Sequence, residues 1–253
     1  MNSKRVGLAR ALSKLGYCSR SQAVALIRAG RVRLNGTTRK DPEAPVRLHD
    51  DRIELDRRPV EAKSRIYLML NKPRGVVTTA SDEKNRKTVY SYLGDAQPWV
   101  GPVGRLDKAS EGLLLLTNDS EWAARISDPR THVDKTYHVQ VGAMADEALE
   151  ATLTQGVRAA SGELLRAKQA RVLRTGERNA WLELVLDEGK NRQIRRMFEL
   201  VGIEVLRLVR IAVGPLHLGP LAKGEFRALT AGEKAAMDQA IKSSGTRPAG
   251  RKE

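Results

Sequence analysis

The chain has 253 residues, enough for one large domain or two unequal ones with a core that needs no disulfide. Its 45 lysines and arginines against 30 acidic residues give a net charge of +15, which favours a polyanionic partner, either nucleic acid or an acidic membrane surface. A single cysteine, Cys18, excludes an internal disulfide and a cysteine-rich zinc site, and the four scattered histidines make a metal centre unexpected.

The sequence contains no signal for a membrane. No apolar run approaches the roughly 18 residues that a spanning helix needs. The basic N-terminus also lacks the continuous apolar stretch of a signal peptide. We therefore expect a cytoplasmic protein with no membrane partner.

The first forty residues contain ten lysines and arginines and no acidic residue. Apolar residues recur at helical spacing over residues 6–15, and Gly16 is expected to end that helix. Ser19 can cap a second helix, which Ala29-Gly30 would end. The basic segment is therefore predicted to be folded rather than a disordered tail.

Two short alternating runs follow these helices. Residues 31–36 end in Asn35-Gly36, the dipeptide typical of a two-residue hairpin turn. Residues 52–56 alternate in the same way. Two helices followed by short strands predict a compact α/β module over residues 1–62, and the polar residues 57–65 are interpreted as a linker.

Residues 63–241 are predicted to form a second, larger unit. Residues 66–70 and 113–116 are apolar like buried strands, and Pro73 indicates a turn over residues 71–75. Residues 135–141 and 181–187 alternate and predict further strands, and residues 205–211 have extended character. An apolar stripe of period 3.6 over residues 191–201, closed by Gly202, predicts a helix.

These patterns predict an α+β fold with a mixed, largely antiparallel sheet and flanking helices. Residues 242–253 are rich in lysine, serine, glycine, arginine and proline, and we expect a basic, disordered tail there. No internal repeat is visible in the sequence.

The densest group of chemically useful residues is 101–112, where four charged side chains lie between glycines just before an apolar strand. Such a loop places Asp107 at the mouth of a core element with cations on either side. Those cations would keep its carboxylate ionised, as a nucleophile requires. An ordinary surface turn with a solvated ion pair is an equally good interpretation of these residues alone.

Two further candidates lie on predicted elements. Arg192 and Arg196 point away from the apolar stripe of their helix, whereas Arg195 lies at its border and could be partly buried against a carboxylate. A solvated charged face is the alternative interpretation. Tyr137 lies on the apolar face of its strand, where it could stack on a base or be an ordinary core tyrosine.

Four stretches carry a family resemblance: LNKPRGVVTT (70–79), GRLDKASEGLLLLTND (104–119), KTYHVQV (135–141) and EGKNRQIRRMFELVG (188–202). In their order and spacing they resemble the pseudouridine synthases of the RsuA/RluB/RluE/RluF type, over most of residues 66–230. The N-terminal module resembles the S4 RNA-binding domain, through the Ser-Arg start of its second helix and AGRVRLNG (29–36).

The resemblance implies roles for individual residues. Asp107 would attack the target nucleotide, and Arg195 would hold Asp107. Tyr137 would stack on the flipped base and help to remove the proton at C5. Arg105 would contact phosphate or fill the gap that the base leaves. Leu206 would line the pocket.

The resemblance also implies two sets of RNA-binding residues. In the catalytic cleft these are Asn71, Lys72, Lys108, Arg192 and Arg196. In the S4-like module, which would recognise folded RNA mainly by shape and backbone, they are Arg20, Arg28, Arg31 and Arg33.

Isomerising uridine breaks an N-glycosidic bond and rejoins the base through carbon, so no cofactor and no metal is expected. The implied partner is ribosomal RNA, as a stem-loop or a pre-ribosomal particle, with the large subunit slightly favoured over the small, and we expect a monomer. The residues leave open which uridine is modified and whether Asp107 attacks the sugar or the base.

Two other functions are compatible with parts of this sequence. An inactive RNA-binding ribosome-assembly factor would need the same basic surface but no reactive carboxylate. A basic glycosidase using Asp107 and Glu111 would need a sugar substrate and access for water, and it would not explain the acid-free first forty residues.

Overall fold

The computed structural model describes residues 5–79, 84, 86–94 and 99–244. Its helices are α1 (Leu8–Lys14), α2 (Arg20–Arg28), α3 (Ser120–Ser127), α4 (Glu147–Gln155), α5 (Gln193–Leu200) and α6 (Ala231–Ser244). Short 3-10 turns lie at Val89–Tyr92 and Pro129–Thr131.

The first strands are β1 (Val6–Gly7), β2 (Val32–Leu34), β3 (Thr37–Thr38), β4 (Pro45–Val46), β5 (Ile53–Leu55), β6 (Arg58–Pro59), β7 (Tyr67–Lys72), β8 (Gly101–Pro102) and β9 (Glu111–Thr117). The remaining strands are β10 (Lys135–Val141), β11 (Val157–Arg158), β12 (Leu164–Leu165), β13 (Gln169–Thr175), β14 (Ala180–Leu186), β15 (Val205–Val213), β16 (Leu216–His217) and β17 (Phe226–Ala228).

The chain divides into two compact units. The first consists of Met1–Tyr67, Gly94–Pro102 and Leu116–Ala124. The second consists of Leu68–Leu93, Val103–Leu115 and Arg125–Glu253.

The helix cap and the hairpin turn predicted for the first unit are both present. Ser19 and Gln22 form a capping box at the start of α2, in which each side chain accepts a hydrogen bond from the other residue's main-chain nitrogen. Asn35 and Gly36 have φ values of 51° and 78°, and two positive φ values are what a tight turn between antiparallel strands requires. That hairpin makes β2 and β3 neighbours in the sheet order β3-β2-β5-β6.

The predicted linker has main-chain and side-chain partners within the first unit. Asn118 is fully buried, and its amide group bonds the main chain of Ser64 and Ile66. The main-chain nitrogen of Lys63 donates to the oxygen of Leu15 at 2.9 Å. The predicted domain boundary between residues 62 and 63 therefore lies next to a segment that is hydrogen-bonded to the rest of the first unit.

The second unit is built on a sheet with the strand order β13-β14-β10-β15-β9-β7-β17. β10 pairs antiparallel with β14 and β15, whereas β15 pairs parallel with β9. Alternation puts the apolar residues of β10 and β14 on one face, where α5 packs. That core includes Val139, Val141, Leu182, Leu184, Met197 and Phe198.

The predicted α+β class with a mixed, largely antiparallel sheet is confirmed. One boundary was wrong: β7 continues through Asn71 and Lys72, which we assigned to a turn. The sequence reading also gave no element for α3, α4, α6 or β13. Within the described chain, no helix combines the length and apolar character of a membrane span. Of the predicted tail, residues 245–253 lie outside the described part.

Candidate active site

One pocket of the second unit, of about 340 Å³, contains Asp107, Tyr137 and Arg195. They come from the loop before β9, from β10 and from α5. Arg105 and Arg192, both predicted to bind RNA, line the same pocket. The structure therefore brings together five of the residues that the sequence singled out.

The loop that carries Asp107 is held by hydrogen bonds to its main-chain oxygens. Lys72 donates from Nζ to the oxygens of Asp107 at 3.1 Å and Ser110 at 2.7 Å. The nitrogen of Gly75 donates to the oxygen of Lys108 at 2.7 Å. Thr78 donates from its hydroxyl to the oxygen of Leu106 at 2.8 Å.

Arg195 completes this set by donating from Nη2 to the oxygen of Ala109 at 3.1 Å. Every main-chain oxygen from Leu106 to Ser110 thus accepts a hydrogen bond from elsewhere in the second unit. A loop whose main chain is held at each residue places the Asp107 backbone in one position, which contributes to the preorganisation that catalysis needs.

The arginine nearest to the Asp107 carboxylate is Arg192, whose Nη1 lies 3.8 Å from Oδ2. Arg195 instead uses its terminal nitrogens on the main chain of Ala109 and Val205. Its Nε is buried and has no hydrogen-bond partner in the described part of the chain. Arg195 therefore holds Asp107 through the loop, at Ala109, and not through an ion pair with the carboxylate.

The pocket is strongly positive. Six lining residues are cations: Arg105, Lys135, Lys190, Arg192, Arg195 and Arg210. Among the described residues that line it, Asp107 alone is acidic. Burial and the neighbouring Arg192 lower the pKa of Arg195, although Asp107 opposes them. This excess of positive charge suits a polyanionic substrate.

Lys72 and Asn71 have internal roles rather than the expected contact with RNA. Lys72 is 0% exposed, and its ammonium group is used on main-chain oxygens. Burial lowers the pKa of Lys72 to about 8 despite the nearby Asp107 and Glu111. Asn71 is buried and donates to the oxygen of Leu221 at 2.7 Å. Both expectations are corrected, because neither polar group faces the surface.

Three other predicted residues lie outside the pocket lining. Lys108 is exposed next to Asp107 in the chain. Arg196 pairs with Glu163 at 2.6 Å, since it points away from the apolar stripe of α5. Leu206 was expected to line the pocket, but Leu208, two residues later on β15, lines it instead.

In the first unit, three of the four predicted RNA-binding arginines form ion pairs. Arg20 pairs with Glu43, Arg31 with Asp56, and Arg33 with Glu54. Arg28 is exposed and has no ion pair within the described residues. Exposed pairs are weak, so Arg20 and Arg31 keep most of their capacity to exchange partners, whereas Arg33 pairs with a largely buried Glu54.

Glu111 is in a different setting from Asp107. Its side chain is 4% exposed, and it accepts hydrogen bonds from Arg207 at 2.6 Å and Lys223 at 2.9 Å. Burial would raise the pKa of Glu111, but these two cations outweigh it and hold the pKa below the usual value. Glu111 is absent from the pocket lining, so the geometry does not support a glycosidase that pairs it with Asp107.

Lys135 and Arg210 line the pocket but were not predicted from the sequence. Lys135 lies two positions before Tyr137, so strand alternation puts both on one face. Arg210 lies two positions after Leu208 on β15 and occupies the same face. Each is a charged residue that strand alternation places on the same face as apolar residues, and this pattern could have identified both as pocket residues.

A carboxylate on a loop with bonded main-chain oxygens, set in a cationic pocket beside a tyrosine, suits an enzyme that acts on a polyanionic substrate. The family model described as RNA pseudouridylate synthase matches residues 66–200, and the S4 domain model matches residues 6–53. Ribosomal large subunit pseudouridine synthase B of Bacillus subtilis is 37% identical over 225 residues, covering 88% of this chain and 91% of that protein.

An uncharacterised RNA pseudouridine synthase of Aquifex aeolicus is 36% identical over 231 residues, covering 91% of this chain and 92% of that protein. The crystal structure of a pseudouridylate synthase aligns with a TM-score of 0.65 and 29% identity, covering 92% of this chain and 99% of that one. The chain belongs to the RNA pseudouridine synthase family, whose members are isomerases, and it carries an S4 domain.

Proposed function

We propose that this protein isomerises a specific uridine of large-subunit ribosomal RNA to pseudouridine, with Asp107 as the nucleophile on a flipped-out nucleotide. The observation that carries the proposal is the shared pocket of Asp107, Tyr137 and Arg195. The name of the Bacillus subtilis relative supports the large subunit as the source of the RNA.

The reaction is a rearrangement within one nucleotide. The bond between N1 and C1′ breaks, the base turns, and a bond forms between C5 and C1′. C5 loses its proton and N1 gains one, so atoms and charge balance without an oxidant or a second substrate. The Asp107 carboxylate supplies the electron pair that starts the exchange, and Tyr137 is placed to stack on the base and help move the C5 proton.

A stacked uridine must first leave its helix, which costs a few kcal/mol. Cations at the pocket can offset that cost by contacts with phosphates, and Tyr137 offers a stacking surface. Arg105 and Arg192 are exposed, so they are placed for phosphate contacts. We assign the S4-like module, residues 1–62, to recognition of folded RNA and residues 63–241 to catalysis.

A tritium-release assay tests the proposal, because replacing the hydrogen at C5 frees tritium from 5-tritiated uridine. Wild type should release tritium from large-subunit rRNA transcripts, and Asp107→Asn should release none while binding the same RNA. Glu177→Gln is the matched control, since Glu177 is an exposed carboxylate outside both the pocket and the S4-like module. Absence of release by wild type from any rRNA would favour an inactive assembly factor.

A further inference from the structure

Arg210 is a buried arginine with unused donors. It is 6% exposed and lines the pocket that holds Asp107 and Tyr137. Its Nε donates to the oxygen of Leu113 at 2.7 Å. Its two terminal nitrogens have no hydrogen-bond or ion-pair partner in the described part of the chain. These two nitrogens are not among the fully buried unpaired nitrogens of the described residues, so they face the open pocket and are available to a bound acceptor.

The neighbours of Arg210 place those donors beside the expected base. Arg210 and Tyr137 are directly opposite on antiparallel β15 and β10, so their side chains share one face. Lys135 lies on that face two residues before Tyr137, and it also lacks an ion pair within the described residues. Burial and the nearby Arg210 lower the pKa of Lys135. Asp134 and Asp187 act on Lys135 electrostatically, but neither Lys135 nor Arg210 forms an ion pair within the described residues, so both cations can still receive an electron-rich group.

The exposure of each pocket cation indicates whether it would contact the RNA phosphates or the extruded base. The exposed Arg105 and Arg192 lie where the RNA backbone can reach them. The Asp107 side chain is 36% exposed, which suits attack near the sugar at the pocket mouth. A uridine that enters with its ribose at the mouth carries O4 at its far end, since C4 lies across the ring from N1. Arg210, at 6% exposure, is the cation that this oxygen would meet.

We propose that Arg210 is a specificity-determining residue that donates a hydrogen bond to O4 of the extruded uracil, with Lys135 reinforcing the positive end of the pocket. This inference rests on the proposed function. Guanidinium has donors and no acceptor. Cytosine carries an amino group at C4, so a donor would face a donor and the wrong base would leave buried groups unpaired.

A hydrogen bond from Arg210 is compatible with the rotation of the detached uracil during isomerisation. Rotation about the line through N3 and C6 exchanges N1 with C5 and also exchanges the two carbonyl groups. The position that O4 occupies before the turn is therefore occupied by O2 afterwards. A donor-only side chain at this position meets a carbonyl oxygen in both arrangements, so it can select uracil without opposing isomerisation.

The test replaces one substrate atom. Once the target has been mapped, a transcript is built with 4-thiouridine at that position, because sulfur is a weak hydrogen-bond acceptor. Single-turnover formation of the product nucleoside is compared with the unmodified transcript for wild type, Arg210→Gln and Arg210→Lys. Arg174→Gln is the matched control, because Arg174 lies beside Trp181 and outside the pocket.

Wild type and Arg174→Gln should lose roughly 10- to 100-fold in rate on the sulfur substrate, as expected for one charge-assisted hydrogen bond. Arg210→Gln should be slow on both substrates and nearly insensitive to the sulfur. Equal rates for wild type on the two transcripts would overturn the inference, and that comparison does not depend on the folding of any variant. Sulfur sensitivity in Arg210→Gln equal to that of wild type would overturn it too.

Failure of this inference is distinguishable from failure of the proposed function. If wild type forms no pseudouridine in any ribosomal RNA, the proposed function fails before the sulfur comparison begins. If wild type modifies the unmodified transcript and is indifferent to sulfur at position 4, the function stands and the role of Arg210 falls.

Discussion

Nζ of Lys72 lies 3.1 Å from the main-chain oxygen of Asp107 and 2.7 Å from that of Ser110, so one buried ammonium group holds the loop at two points. The same nitrogen also donates to the oxygen of Pro73 at 3.1 Å. Lys72 therefore acts on the reaction through the position of Asp107 and not through contact with RNA.

Lys72→Met should destabilise the protein and slow the reaction. Methionine has a similar length but leaves the oxygens of Ser110 and Pro73 without a donor, at a cost of roughly 2–4 kcal/mol in the free energy of unfolding. Denaturant unfolding measures the stability, and single-turnover rates against RNA affinity should show that the rate falls more. Lys168→Met, which breaks an exposed ion pair with Asp134, should cost less than about 1 kcal/mol. Equal losses for the two variants would remove the role assigned to Lys72.

Replacing Arg192 should stabilise the fold and lower activity. Its φ of 48° is in the left-handed region, which asparagine tolerates better than arginine. Arg192→Asn should therefore raise the free energy of unfolding by up to about 1 kcal/mol. RNA affinity and turnover should fall, because the cation 3.8 Å from Asp107 is lost.

The control for this prediction is Arg105→Asn, which removes another exposed cation of the pocket. Arg105 is not among the residues with positive φ, so its replacement should weaken RNA binding without a gain in stability. Thermal unfolding and RNA titration of both variants give the comparison. A gain in stability for both, or for neither, would contradict the backbone argument.

Gly112→Ala should be strongly destabilising. A Cβ atom at this position would lie 2.2 Å from the main-chain oxygen of Arg210, and the φ of Gly112 is +102°. β9 and β15 must therefore separate where they pair, with an expected loss of several kcal/mol, on the order of 4 kcal/mol. Gly232→Ala, at the start of α6, meets nothing closer than 4.0 Å and should be neutral or stabilise by up to about 1 kcal/mol. Denaturant unfolding of the two variants should therefore give clearly different midpoints.

The pH dependence of stability should reveal the pairing of Glu111. Its pKa is lower in the folded chain than in the unfolded chain, because Arg207 and Lys223 outweigh the effect of burial. The stabilisation it provides is thus fully present above the unfolded pKa, near 4.3, and is lost as the pH falls toward the folded pKa. Wild type should be more stable than Glu111→Gln at pH 6, and the difference should shrink below about pH 4. A difference that stays constant down to pH 3 would show that the ionised carboxylate contributes nothing.

The secondary structure that the sequence predicted rests on local physics. The capping box at Ser19 and the turn at Asn35-Gly36 involve residues only a few positions apart, so the neighbouring sequence determines their geometry. The alternation over residues 135–141 likewise identified β10 with its observed bounds. The motif around Asp107 pointed to the loop that lines the pocket.

Other features depended on partners distant in sequence. Arg195 and Ala109 are 86 positions apart, and Lys72 and Ser110 are 38 apart, so no local pattern shows that they meet. For that reason the sequence named the residues near Asp107 but misassigned what Asn71 and Lys72 bind.

The sequence by itself determined the α+β class and pointed to the carboxylate at position 107, because periodicity, turn residues and short motifs are local properties of the chain. Only the tertiary structure decided which cation faces that carboxylate, which lysine is buried behind it and that Arg210 reaches the pocket with free donors. Burial and the choice of hydrogen-bond partner are set by packing between strands and loops that are remote in the chain, and that packing exists only in the folded protein.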